Sequence, residues 1–168
     1  MIVALFGASC TGKTSIARAL SAELTVPLRS CGDAVKGRAS ELSVAWSKLP
    51  DEQHRTVDKE TREWCAAMKP CIVEGRFLDH VLAPLQGDTM LIRLAASKEA
   101  RCARWTSRTG LHAALAEIEE HDEVDRTFRT RLYGESEVLA PLLVMDTSDQ
   151  SVKACVRRVK SLLEATRG

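Results

Sequence analysis

The chain has 168 residues, 45% of them hydrophobic and 28% charged, with a formal net charge of +1. That length and apolar content suit a single compact domain with a real core, and they exclude a disordered tail. The near-cancellation of charge gives no general polyanion-binding surface, so a nucleic-acid partner is not expected, although a local group of arginines can still hold phosphate.

The first six residues are apolar, but the run stops at Gly7 and lacks a basic leader. It is too short for a signal peptide or a membrane span, so a cytoplasmic location with no membrane partner is expected. The spacing predicts a buried strand over Ile2 to Phe6, a turn, and a helix from about Lys13 to Glu23, with Ile16, Leu20 and Leu24 on one side. Between strand and helix, Gly7-Ala8-Ser9-Cys10-Thr11-Gly12-Lys13-Thr14 fits G-x-x-x-x-G-K-(S/T) at every fixed position. In such a loop the glycines let several backbone N–H groups face a phosphate, and the helix N-terminus adds its positive end. Lys13 then reaches the β- and γ-phosphates of a nucleotide, and the Thr14 hydroxyl is placed to ligate magnesium.

A second strand is expected around Val26 to Arg29, delivering Ser30, Cys31, Gly32 and Asp33 to the edge that carries the first loop. Residues 34 to 69 are polar and helix-compatible, with a boundary at Pro50 and Asp51 as a candidate cap. Asp33, Lys36, Asp58 and Arg62 are candidate acceptor contacts here, with an i,i+4 surface pair as the alternative for Asp58 and Arg62. Cys71, Ile72 and Val73 form a third strand that ends in Glu74-Gly75-Arg76. Glu74 is placed to hold a magnesium-bound water or to orient an acceptor, and Arg76 to fork onto an acceptor phosphate.

Strands also read at Thr89 to Leu94 and Leu142 to Met145, with a charged segment between them whose Leu111, Leu115 and Ile118 share a short apolar face. Arg101, Arg104 and Arg108 stack along one helical face and are candidates to close over a triphosphate. Arg126, Arg129 and Arg131 follow beside Glu123 and Asp125, and at least one of them is expected to meet phosphate. The last helix carries Val152, Val156, Val159 and Leu163 at helical spacing. Strands alternating with helices predict an α/β fold of three layers, a P-loop NTPase fold with about five parallel strands and its ligands at their carboxyl ends.

Six cysteines without a CxxC pair read as reduced core residues, and Cys102, His112 and His121 lack the paired spacing of a zinc site. The four histidines show no triad or metal spacing. Trp46, Trp64 and Trp105 are available either to line a pocket or to pack in the core. A GTPase-like switch is disfavoured, since the guanine-reading N-K-x-D sequence is absent and the arginine-rich segment suits transfer better.

On the phosphate loop, Ser30-Cys31-Gly32-Asp33, Ile72-Val73-Glu74-Gly75-Arg76, Leu94-Ala95-Ala96-Ser97 leading into Arg101-Cys102-Ala103-Arg104, Glu123-Val124-Asp125-Arg126 with Tyr133-Gly134, and Met145-Asp146-Thr147-Ser148, the chain resembles the P-loop nucleoside monophosphate kinases, in particular the cytidylate kinase-like group. The resemblance implies ATP and Mg2+ as cofactors and a small-molecule phosphoryl acceptor, a nucleoside monophosphate. It also implies a single kinase domain over 1–168, with a helical acceptor-binding region near 32–69 and a lid near 99–131. It maps the acceptor-phosphate arginine to Arg76, the lid arginines to Arg101 and Arg104, a further catalytic arginine to Arg126, and the region beside the donor base to Asp146 and Ser148. Departures from the family pattern fall at Asp33-Ala34-Val35-Lys36 and at Phe77-Leu78-Asp79, beside the expected acceptor pocket. A kinase for a small alcohol or sugar, and a nucleotide-binding protein without catalysis, remain open at this point, as do monomer and homodimer.

Overall fold

A computed structural model describes residues 1–111, 115–134 and 139–166. Its centre is a sheet of five strands, β1 (Ile2–Phe6), β2 (Leu28–Ser30), β3 (Cys71–Gly75), β4 (Thr89–Ala95) and β5 (Leu143–Asp146), in the order β2-β3-β1-β4-β5. All four pairings are parallel, with Ala4 of β1 opposite Val73 of β3 and Leu91 of β4. β1 and β3 are buried along their whole length, as expected of strands covered on both faces.

Side-chain alternation along β1 divides the core in two. Val3 and Leu5 join Ile16 and Leu20 of α1 (Lys13–Leu24) with Val156 and Val159 of the last helix, α7 (Val152–Ala165). Ile2, Ala4 and Phe6 pack on the opposite face against Cys65 of α3 (Asp51–Ala67) and Leu78 and Val81 of α4 (Leu78–Val81). α2 (Cys31–Glu41) lies between β2 and α3, while α5 (Lys98–Thr109) and α6 (Leu115–Tyr133) follow β4. The strand termini therefore release Gly7, Cys31 and Arg76 at one edge, as the alternating pattern predicts.

Several expectations shift. β2 begins at Leu28 instead of Val26, because Thr25 caps α1 in a left-handed conformation and the Ser21 hydroxyl donates to the Val26 carbonyl at 2.7 Å. Pro50 takes the N-cap position of α3, so Asp51 is no cap. It sits in the first turn, where a carboxylate favours the helix dipole, and it pairs with Arg131 at 2.9 Å. The expected apolar face at Leu111, Leu115 and Ile118 does not form, since α5 stops at Gly110 with φ +71°. Leu111 and Leu115 are exposed and only Ile118 is buried. Val152 likewise stays half exposed while Val156, Val159 and Leu163 are buried. His112 lies outside the described residues.

Candidate active site

The loop between β1 and α1 owes its shape to backbone conformations that side chains resist. Gly7 has φ +140°, and a Cβ there would fall 2.2 Å from the Leu94 carbonyl oxygen of β4. Gly12 at φ +90° starts α1, and Cys10 takes φ +62° between them. The Thr11 hydroxyl donates to the Ala8 carbonyl at 2.9 Å and closes the turn. Lys13 Nζ bends back over the loop and donates to the carbonyls of Gly7 at 2.8 Å and Ala8 at 2.6 Å. Burial draws the Lys13 ammonium down to about 8, with Arg76 adding to the shift and Glu74 and Asp125 opposing it. An ammonium so poorly solvated gains strongly from an anion delivered beside it.

Glu74 is 4% exposed at the end of β3. The Thr14 hydroxyl donates to Glu74 Oε1 at 3.2 Å, and the Ser30 hydroxyl donates to the same oxygen at 2.5 Å. The ends of β2 and β3 and the first turn of α1 thus converge on one carboxylate. The set consists of oxygen donors only, the chemistry magnesium prefers when it keeps waters and phosphate oxygens as its remaining ligands. Among the described residues no group of three or more His, Cys, Asp or Glu could hold a metal by itself.

A cleft of about 950 Å³ runs from this point towards α6. Of the site residues expected from the sequence, it is lined by Ser9 to Thr14, Ser30, Asp33, Lys36, Asp58, Glu74, Arg76 and Arg104. Asp33 and Lys36 are exposed and lie 3.8 Å apart as an i,i+3 pair on α2. Asp58 Oδ2 accepts from the Tyr133 hydroxyl at 2.6 Å, a different partner from the neighbouring Arg62 on its own helix. Burial pushes the Asp58 carboxyl up from its ordinary value, against the pull of the Tyr133 hydrogen bond, Arg62 and Arg55. Arg62 and Arg129 do not line the cleft. Arg129 is held by the buried carboxylate of Asp79 beneath it.

The arginines of α5 are engaged from behind the phosphate loop. Arg101, 5% exposed, donates from Nε to the Ser9 carbonyl at 2.8 Å and forks onto Asp122 of α6 at 2.7 and 2.5 Å. Arg104 donates to the Cys10 carbonyl at 3.2 Å, to the Thr147 hydroxyl at 3.1 Å, and to the Thr147 and Ser148 carbonyls. Thr147 in turn donates to the Thr11 carbonyl at 2.9 Å. In this conformation the Arg101 and Arg104 guanidiniums brace the loop's carbonyls, and of the expected row Arg104 and Arg108 line the cleft while Arg101 does not. Arg126 is exposed and pairs with Glu123 one turn back, away from the cleft. Asp146 Oδ1 accepts from the Ser148 backbone N–H at 2.8 Å and its hydroxyl at 2.6 Å, and Ser148 Oγ accepts from the Ser97 N–H at 2.8 Å. The two residues shape the turn between β5 and α7, and neither lines the cleft.

Sequence reasoning missed other cleft residues. Asp125 holds Arg76 and lies against Lys13's field. Phe77, Phe128 and Tyr133 form an aromatic wall, with His54 edge-on to Phe128 at 4.7 Å. Two tryptophans that the sequence offered for a pocket do line the cleft, Trp46 against the Arg76 guanidinium at 5.9 Å and Trp105 against Arg108 at 5.1 Å. One local signal existed: His54 and Asp58 are i,i+4 on α3 and therefore share a face.

Comparison with known proteins agrees with this geometry. The AAA domain family model matches residues 3–134. The cytidylate kinase of Pyrobaculum arsenaticum is 31% identical over 167 residues, covering 94% of this chain and 89% of that protein. The cytidylate kinase of Pyrobaculum neutrophilum is 30% identical with the same coverage. Among solved structures, shikimate kinase from Aquifex aeolicus superposes with a TM-score of 0.62 at 17% identity, covering 99% of this chain and 98% of that one. A gluconokinase from Sinorhizobium meliloti gives 0.62 at 18% identity, covering 99% and 97%. At those identities the two structures speak for the fold alone. The chain is a phosphotransferase and belongs to the P-loop kinases, in the group that contains the cytidylate kinases.

Proposed function

We propose that the protein transfers the γ-phosphoryl group of ATP to a cytidylate-like nucleoside monophosphate. The observation that supports this reading is that Arg76 lines the same cleft as Lys13, Thr14 and Glu74, with the Glu74 carboxylate accepting from the Thr14 and Ser30 hydroxyls. Residues 7–14 cradle the donor phosphates, and Lys13 neutralises charge where the phosphoryl group leaves. Thr14, with Glu74 behind it, would hold Mg2+, which when bound neutralises the β- and γ-phosphate oxygens.

Arg76 takes the acceptor phosphate in a two-pronged grip, releasing Asp125 as it does so. An acceptor phosphate is already anionic, so no strong base is needed and positioning does most of the catalytic work. Residues 32–69 form the acceptor side and 99–131 the lid. In the lid, Arg101 and Arg104 act by holding the phosphate loop in shape. Arg126 and Arg129 are closure candidates, and Asp146 and Ser148 lie on the donor-base side. Ser30, Asp33, Lys36, Asp58 and Arg62 belong to the acceptor side. The protein is expected in the cytoplasm; among the described residues no helix is long and apolar enough to cross a membrane.

The test is ADP release from ATP and Mg2+ with CMP, dCMP, UMP, AMP, GMP, shikimate and gluconate as separate acceptors. Turnover with CMP or dCMP well above the rest supports the proposal. Turnover only with shikimate or gluconate replaces it with an alcohol or sugar kinase.

A further inference from the structure

The acceptor half of the cleft has an unusual composition. The chain contains three phenylalanines and one tyrosine, and two of those phenylalanines and the tyrosine stand together on this wall. Phe77 and Phe128 stack with centroids 5.9 Å apart and planes 23° apart, and Phe77 meets Tyr133 at 5.8 Å. Such a wall suits a flat ring.

Four acids line the cleft among the described residues. Asp33 is paired with Lys36, Asp125 with Arg76, and Glu74 accepts from Thr14 and Ser30 beside the phosphate loop. Asp58 stands apart, because it projects from α3 among the aromatic rings. The Tyr133 hydroxyl donates to one of its oxygens at 2.6 Å. That bond joins the acceptor region to the end of α6 and fixes the carboxylate's plane, and a carboxylate keeps acceptor capacity on its other oxygen.

We propose that Asp58, oriented by Tyr133, is the residue that selects the acceptor ring: its second carboxylate oxygen accepts a hydrogen bond from an exocyclic amino group. The inference rests on the reading of the acceptor as a nucleoside monophosphate. Its chemistry is discriminating because a carboxylate is acceptor-only. An aminopyrimidine offers an N–H to that oxygen, whereas a uracil-type ring offers a carbonyl, so two acceptors would face each other in a poorly solvated pocket. Sites built around a hydrogen bond of this kind reject the analogue lacking the donor far more strongly than apolar pockets reject a missing methylene.

The experiment measures kcat and KM for CMP and UMP in the wild type, Asp58→Asn and Tyr133→Phe, with ATP affinity and thermal stability recorded for each. The wild type should prefer CMP. Asp58→Asn should lower the CMP-to-UMP ratio of kcat/KM by about 30-fold, mostly through KM, with ATP affinity within about twofold, since one charge-assisted hydrogen bond is lost and the amide can turn its N–H to a carbonyl. Tyr133→Phe should raise KM for CMP about fivefold and leave kcat nearly unchanged. If Asp58→Asn lowers both nucleotides equally, Asp58 is only a tie between α3 and α6 and the proposal is overturned. If that variant does not fold, Tyr133→Phe decides: lower thermal stability at unchanged KM overturns it. A wild type that uses CMP and UMP equally removes this inference and leaves only a nucleoside monophosphate acceptor; one that uses neither removes both.

Discussion

Arg76 at the end of β3 donates to the carboxylate of Asp125, 49 positions later on α6. The residue expected to grip the acceptor phosphate is thus already held by an acid that a phosphate would have to displace. Exchange of one anion for another couples acceptor binding to the position of α6.

Truncation of Arg76 therefore separates the two substrates. Arg76→Ala should raise the acceptor KM about 30-fold, the loss of a charge-assisted two-pronged contact, and leave ATP affinity within about twofold. Asp125→Asn should act in the opposite direction, lowering the acceptor KM a few-fold at low salt because the arginine no longer has a competing carboxylate. Steady-state kinetics with both substrates varied reads both effects. An acceptor KM unmoved by Arg76→Ala would remove this residue from the site.

Lys13 makes the donor site sensitive to alkaline pH. Its ammonium is drawn down to about 8, chiefly by burial. A bound triphosphate favours the charged form and raises that value, so binding near pH 9 takes up a proton, while binding near pH 7 takes up almost none. ATP affinity should be flat below about pH 8 and weaken up to about tenfold per unit above it. Titration calorimetry in two buffers of different ionisation enthalpy reads the uptake directly; equal heats in both at about pH 9 would count against the assignment.

Gly7 tolerates no side chain. Gly7→Ala places a methyl 2.2 Å from the Leu94 carbonyl oxygen at a φ of +140°, so backbone must move. A loss of at least about 2 kcal/mol in unfolding free energy, together with weakened ATP binding, is expected from the overlap and the strained conformation. Gly87, whose missing side chain faces nothing within 4 Å, serves as the control, with Gly87→Ala close to neutral. Urea denaturation of the two variants makes the comparison.

Arg101 tests the scaffold role. Arg101→Gln should cost about 1–3 kcal/mol at neutral pH through loss of the fork onto Asp122 and the bond to the Ser9 carbonyl. The Asp122 carboxyl is held below its ordinary value by the Arg101 hydrogen bond first, despite the opposing effect of burial, and by Arg101's charge after that. A depressed folded value means that this stabilisation is complete above about pH 4 and is lost as the pH falls through the folded value. The stability gap between wild type and variant should accordingly narrow towards about pH 3. A gap that stays constant would mean that the ion pair contributes nothing.

The parts of the site that were legible are those whose residues are neighbours in sequence. Residues 7–14 declare themselves through glycine spacing and a flanking strand and helix, and the five strands follow from apolar runs such as Cys71 to Val73. Asp125, Tyr133 and Thr147 gave no such sign. Their meaning depends on partners 49, 75 and 136 positions away, at Arg76, Asp58 and Thr11. For Arg126, whose place in an arginine cluster suggested phosphate, the structure shows a pair with Glu123 outside the cleft. Charge spacing reports which residues share a helix, and only packing decides which side of that helix meets the cleft.

Phosphorus NMR of ATP, Mg2+ and CMP incubated with the protein tests the central claim most directly. The account predicts equimolar ADP and CDP in the wild type, and loss of nearly all CDP in Lys13→Ala at unchanged thermal stability. CDP formed at the wild-type rate by Lys13→Ala, or a wild type that forms no CDP at all, would contradict it.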